Sequence, residues 1–93
     1  MNQSIQHQLA DQEFTTTRNG HPAELAYSHP APGIIDFTHT FVSEALRGKG
    51  VADELARAGL GFAREKHLKV KTSCTFMASF VGRHRAEYAD LLV

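Results

Sequence analysis

The chain has 93 residues, 42% hydrophobic and 22% charged, with ten basic side chains against ten acidic ones. That length accommodates one small domain over residues 1–93 with a single core, so any site shares its walls with the fold. Zero formal charge speaks against a general nucleic-acid or membrane-surface binder, the single cysteine, Cys74, excludes a disulfide-stapled scaffold, and a polar start over residues 1–14 with no long apolar run reads as cytoplasmic.

Residues 5–9 form a weak first strand, and residues 13–17 a better one, because β-branched and aromatic side chains suit a pleated surface. Asn19-Gly20 tolerates the positive φ angles of a two-residue hairpin, so residues 23–28 return antiparallel. His29-Pro30-Ala31-Pro32-Gly33 reads as a loop. Residues 34–43 then alternate, with Ile35, Phe37, His39 and Phe41 on one face. Residues 51–67 are the longest helical candidate: Val51, Leu55, Ala58 and Phe62 recur at helical spacing, and Ala52, Ala56 and Ala63 broaden the stripe. Gly59 and Gly61 each cost that helix about 1 kcal/mol relative to alanine, which implies close packing on a sheet. Over residues 68–76, Leu68, Val70, Thr72, Cys74 and Phe76 share one face and Lys69, Lys71, Ser73 and Thr75 the other, the pattern of a half-buried strand. A short helix over 77–84 and an apolar tail over 88–93 that docks on the core complete a β-β-β-β-α-β-α order. The expected class is α+β with a mainly antiparallel sheet.

Charge is uneven along this order. Before Arg47 there is one basic residue, Arg18, against five acidic ones, a charge of −4, and from Arg47 onward nine basic residues against five acidic ones give +4. Leu46-Arg47-Gly48-Lys49-Gly50-Val51-Ala52 sits where a strand gives way to the long helix. Unpaired amides and the positive end of the helix dipole suit an anion there, and glycines let the backbone turn sharply and approach a phosphate. The stretch is neither a Walker A loop nor a dinucleotide fingerprint, since Asp53 stands where the third glycine of Gly-x-Gly-x-x-Gly belongs. On the residues alone, an anion site and an ordinary glycine turn both remain open.

Arg47-Gly48-Lys49-Gly50-Val51-Ala52 resembles the Arg/Gln-x-x-Gly-x-Gly/Ala signature of the GNAT N-acetyltransferase superfamily. More closely, the chain resembles its small stand-alone subgroup through residues 23–27, His39-Thr40-Phe41-Val42, residues 46–52, Leu68-Lys69-Val70 with Cys74, and residues 87–92. The resemblance implies a minimal GNAT fold that takes acetyl-coenzyme A as cosubstrate. Its pantetheine arm would pair with the backbone of Phe41 and Val42, and its pyrophosphate would rest on Arg47, Gly48, Lys49, Gly50, Val51 and Ala52. Two departures stand out. His84-Arg85-Ala86-Glu87-Tyr88 replaces a more common His-Pro-Glu-Tyr, and Phe80 is the nearest aromatic where many relatives carry a tyrosine as general acid.

Acetyl transfer needs a neutral amine, yet at a lysine-like pKa only about one amine in 2,500 is neutral at pH 7. Cys74 reads either as a small core hydrophobe or, by the resemblance, as a group at the acetyl end, acting as acyl acceptor or proton donor. His39 reads either as a satisfied core histidine or as a base or proton relay. His7, His21, His29, His67 and His84 show no metal-ligand spacing, and one cysteine cannot build a structural zinc set, so no metal is expected. The expected activity is transfer of acetyl from acetyl-coenzyme A to an amine, on a small molecule or a protein, by a monomer or weak homodimer. The alternative is an acyl-coenzyme A-binding or interaction protein with little transferase activity.

Overall fold

The computed structural model describes residues 5–93, so the first four residues of the polar start lie outside the described residues. Five strands, β1 (Gln6–Gln8), β2 (Glu13–Arg18), β3 (His21–Ala31), β4 (Ile34–Val42) and β5 (Lys69–Lys71), form one sheet in chain order. The first four are antiparallel, and β5 is parallel to β4 across the crossover helix α1 (Val51–Glu65). Helices α2 (Thr75–Arg83) and α3 (Arg85–Tyr88) follow, with single 3-10 turns at Glu44–Leu46 and Ala89–Leu91. The expected α+β class and element order hold, with one further short helix before the tail. Among the described residues no helix is long and apolar enough to cross a membrane.

Turn chemistry sets the hairpins. Asn19 and Gly20 take φ of 54° and 79°, and Arg18 pairs with His21, so the β2–β3 turn has the two residues that Asn-Gly favours. At the next turn the strands run further than expected. Ala31 pairs with Ile34, which reduces the loop read over residues 29–33 to Pro32-Gly33, with Gly33 at φ 78°. Proline cannot donate an amide hydrogen bond, and β3 places Pro22 and Pro30 towards its two ends, Pro30 within the irregular pairing between Ser28 and Ala31.

Strand β4 departs from simple alternation. Ala26 pairs with His39 but Tyr27 pairs with Phe37, which leaves Thr38 as an extra residue, a β-bulge. Upstream of it Ile35 and Phe37 are buried; downstream Thr40 and Val42 turn to that same inner side, while His39 and Phe41 are exposed on the other. The expectation of Ile35, Phe37, His39 and Phe41 on a single face is therefore corrected, and His39 is not a core histidine.

Helix α1 lays Val51, Leu55, Ala56, Gly59, Leu60 and Ala63 on the inner face. It ends at Glu65, two residues before the expected boundary, where His67 at φ 58° swings the chain into β5. Gly59 explains the close approach, because a Cβ there would lie 2.7 Å from Phe37 Cε1 and 3.0 Å from Leu25 Cδ2. Gly61 faces open space.

The strand expected over 68–76 is also corrected. Pairing stops at Lys71, because the Asp36 carboxylate accepts from the Ser73 amide (3.0 Å) and hydroxyl (2.7 Å), and α2 begins at Thr75. Cys74 thus precedes a helix and does not continue a strand. The tail docks as expected: Tyr88 and Leu91 are buried, Leu92 bridges Val70 in parallel, and the Val93 amide donates to Val70 O at 3.2 Å.

The two glycines of α1 give substitutions of opposite sign. Gly61→Ala should stabilise by about 0.5–1 kcal/mol through helix propensity. Gly59→Ala should destabilise by about 1–2 kcal/mol, since the buried Phe37 and Leu25 side chains cannot retreat. Thermal unfolding of the pair checks this, as each kcal/mol moves Tm by about 4–8 °C at this size.

Candidate active site at the splayed edge of β4

Strands β4 and β5 pair only over three positions, Ile34 to Asp36 with Lys69 to Lys71. The Asp36–Ser73 hydrogen bonds then draw the chain away, and the Cys74 amide closes the gap on Phe37 O at 2.8 Å. Beyond this point residues 38–42 have β3 on one side and, among the described residues, no strand on the other. Backbone donors and acceptors along such an edge can pair with an extended ligand as a missing strand would.

The edge leads into the glycine loop. Leu46 is buried and anchors it, Arg47 is extended, and Gly48 and Gly50 take φ of 78° and 79°. A Cβ on either glycine would meet nothing within 4 Å, so both backbones border open space. Val42, Leu46, Arg47, Gly48, Gly50, Val51, Ala52 and Asp53 line a cavity of about 350 Å³ there. Gly50 caps α1 without a side-chain hydrogen bond, and the first-turn residues Val51, Ala52 and Asp53 line this cavity. Arg47 Nε donates to Val42 O at 3.3 Å, tying the loop to the end of β4.

Charge in the first turn of α1 is partly quenched. Arg18 from β2 grips Glu54 through two hydrogen bonds of 2.7 and 2.9 Å. That hydrogen bonding lowers the Glu54 carboxyl below its ordinary range, so it stays a carboxylate whose negative charge the Arg18 guanidinium offsets beside the loop. Arg47 then faces Asp53 among the residues lining the cavity, whereas the exposed Lys49, expected at the same site, is not part of its lining. A phosphate group fits this donor set: a helix start, the Arg47 cation and glycine backbone without side chains in the way.

At the other end of the open edge, Cys74 is 9% exposed, and its Sγ lies 3.1 Å from Thr40 Oγ1. The structure therefore brings Cys74 to Thr40 and not to His39, which the bulge places on the opposite side of β4. Phe41 shares the His39 side and is 42% exposed, and Val42 is half-buried against the core. Phe80 is fully buried among Phe76, His84 and Tyr88, with the Arg57 and Arg83 guanidinium groups over its ring at 5.4 and 5.8 Å. Sequence reasoning singled out neither Thr40 nor Asp36 as a site residue. Thr40 was within a quoted motif, but only the bulge, which carries no residue signature, turns it inward.

Comparison with known proteins adds a separate line. The family described as GCN5-related N-acetyl-transferase matches residues 13–91. Protein NATD1 of Homo sapiens and of Bos taurus are each 35% identical over 79 residues, which is 83% of this chain and 70% of each relative. The solution structure of a GCN5-like protein from Staphylococcus aureus superposes with a TM-score of 0.80 at 30% identity, covering 99% of this chain and 89% of that one.

The Arg18–Glu54 pair makes a pH prediction. Glu54→Gln should cost about 0.5–1 kcal/mol at pH 7, the scale of a well-formed surface pair. Because the folded-state pKa is depressed, this stabilisation is whole above the ordinary value of 4.5 and is lost as pH falls through the lowered one. Denaturant unfolding of wild type and variant should differ at neutral pH and converge in acid.

Proposed function

The chain belongs to the GCN5-related N-acetyltransferase family, and we propose that it transfers the acetyl group of acetyl-coenzyme A to an amine acceptor. The observation that carries this reading is continuity: one unpaired strand edge, residues 38–42, runs directly into a cavity-forming glycine loop at a helix start. Bound acetyl-coenzyme A supplies the acetyl group already activated as a thioester.

The chain's own residues divide the remaining work. The loop from Arg47 to Ala52 receives the pyrophosphate on its amides and cations. The backbone at Phe41 and Val42 pairs with the pantetheine arm, and an amide of that edge polarises the thioester carbonyl in a partly water-excluded groove. The amine nitrogen bonds to the acetyl carbon as the carbon–sulfur bond breaks, and two protons must move.

The bulge at Thr38 suggests how they are separated. His39, exposed on the outer side, takes the proton that the amine loses. Cys74, on the inner side, gives its proton to the departing thiolate. Thr40 orients that thiol through the 3.1 Å hydrogen bond. This division favours Cys74 as proton donor over nucleophile, since the neighbouring imidazole stands on the far side of the strand. It also replaces the hydroxyl that Phe80 lacks.

The alternative, an acyl-coenzyme A-binding protein with little transfer activity, draws support from that same missing hydroxyl. Calorimetry with acetyl-coenzyme A and with ADP as control tests the shared premise. Micromolar binding that weakens greatly for ADP is expected, and Gly50→Ala, strained at φ 79° with its methyl in the cavity, should weaken it by about tenfold or more. No binding up to millimolar concentrations would overturn both readings.

Turnover on a panel of amines separates the two. Cys74→Ala should lower kcat by about a hundredfold with acetyl-coenzyme A affinity retained, the scale of a lost general acid. An acetyl adduct on Cys74 in intact-protein mass spectra would instead establish the nucleophilic route, and saturable binding with no acetylated amine would establish the binding protein.

A further inference from the structure

Among the described residues the helices pack on the inner side of the sheet, α1 against Leu25 and Phe37 and α2 through Met77 and Phe80 into the same core, and the outward side over β1, β2, β3 and the end of β4 carries none. Its register arranges two rows. Gln8, Glu13, Ala26 and His39 stand opposite one another, and next to them Gln6, Thr15, Glu24 and Phe41. Directly opposed side chains have Cβ atoms about 4.5–5.5 Å apart, so the Glu24 carboxylate adjoins the exposed Phe41 ring, with Glu13 and His39 on the diagonals.

Formal charge on these two rows is negative only, from Glu13 and Glu24, and among the described residues neither makes an ion pair. The lysines with outward register, Lys69 and Lys71, are on β5 beyond Asp36, and Lys69 already donates to Asp90 O at 2.9 Å. Burial chiefly, and then the Glu24 and Asp11 carboxylates, raise the Glu13 carboxyl above its ordinary range. A ring beside carboxylates, with no competing cation in the rows, is complementary to an ammonium group.

The shape narrows the partner. Small ligands bury most of their surface in concavities, and none of the residues in these two rows lines those at the glycine loop, between β5 and α2, or beside Asp90. An open pleated surface instead suits an extended polypeptide lying across it.

We propose that this surface docks a lysine-rich, flexible segment of an acceptor protein, with one ammonium between Glu24 and Phe41 while a second amine of the segment reaches the open edge of β4. The proposal deepens the transferase reading and rests on it for the fate of that amine. It makes Glu13 and Glu24 specificity residues, outside the machinery that holds acetyl-coenzyme A.

Amide chemical-shift titration of the full chain with a short peptide of alternating lysine and glycine tests this. Shifts should concentrate on the two rows, binding should weaken with salt, and a matched glutamate peptide should not bind. The double variant Glu13→Gln, Glu24→Gln, with its sheet confirmed by its own amide spectrum, should bind the lysine peptide about tenfold more weakly and acetyl-coenzyme A as tightly as wild type.

Unchanged peptide affinity in that variant, or shifts confined elsewhere, would overturn the docking surface. Spermidine shifting the same rows as strongly as the peptide would replace it with a small-polyamine site. Acetyl-coenzyme A titrated into the same samples tells the two failures apart: binding of the cosubstrate without the peptide removes docking alone, and binding of the peptide without the cosubstrate removes the transferase reading and leaves the docking surface.

Discussion

Strand β4 serves two masters, a hydrophobic core and an open groove, and a single extra residue lets it do so. Without the bulge at Thr38, the parity set by Ile35 and Phe37 would continue, pointing His39 and Phe41 at α1 and Thr40 and Val42 at solvent. The inserted residue reverses that parity halfway along the strand. Apolar β4 side chains upstream are spent on packing, and downstream the strand presents an imidazole and a ring on one side and a hydroxyl against the Cys74 thiol on the other. Bulges also increase local twist, which fits the early separation of β4 from β5.

Helix α1 couples packing to the loop in a similar way. Its middle comes down onto Leu25 and Phe37 through the missing side chain of Gly59, and this fixes how far its first turn stands from the end of β4. Arg18 then reaches across from β2 to hold Glu54 in that turn. A helix start is useful to an anion only where its amides are held at the right place, and here a core contact and an ion pair do the holding. At the opposite end of the sheet His7 stacks on Phe14 at 4.1 Å and meets the Tyr27 hydroxyl at 2.6 Å, and burial lowers its pKa, so the first hairpin is pinned by a neutral imidazole.

Much of this was legible from the residues. Asn19-Gly20 specified its turn, the alanine-rich stripe from Val51 onward specified α1 to within two residues at its end, and Gly48 and Gly50 marked a loop whose positive φ angles only glycine accepts easily. What escaped has a common cause, long-range pairing. The alternation over residues 68–76 is a fair strand pattern, and only Asp36, thirty-seven residues from Ser73, converts its second half into a helix start. The bulge is a property of the β3–β4 register, invisible to either strand alone, so the side assigned to His39 came out reversed. The same blindness hid Thr40, whose partner is thirty-four residues away.

The edges of the sheet have a consequence for self-association. At one edge β1 has only three residues, and at the other β5 is equally short and is covered by the bridge from Leu92 to Val70. Short and covered edges offer little template for strand addition, the route by which β-proteins aggregate. Among the described residues, β4 is left without a strand neighbour on one side over residues 38–42, the part of it that leads towards the glycine loop. The chain therefore places this adhesive backbone at the edge the proposed cosubstrate would cover, so an extended ligand bound there would also block strand addition.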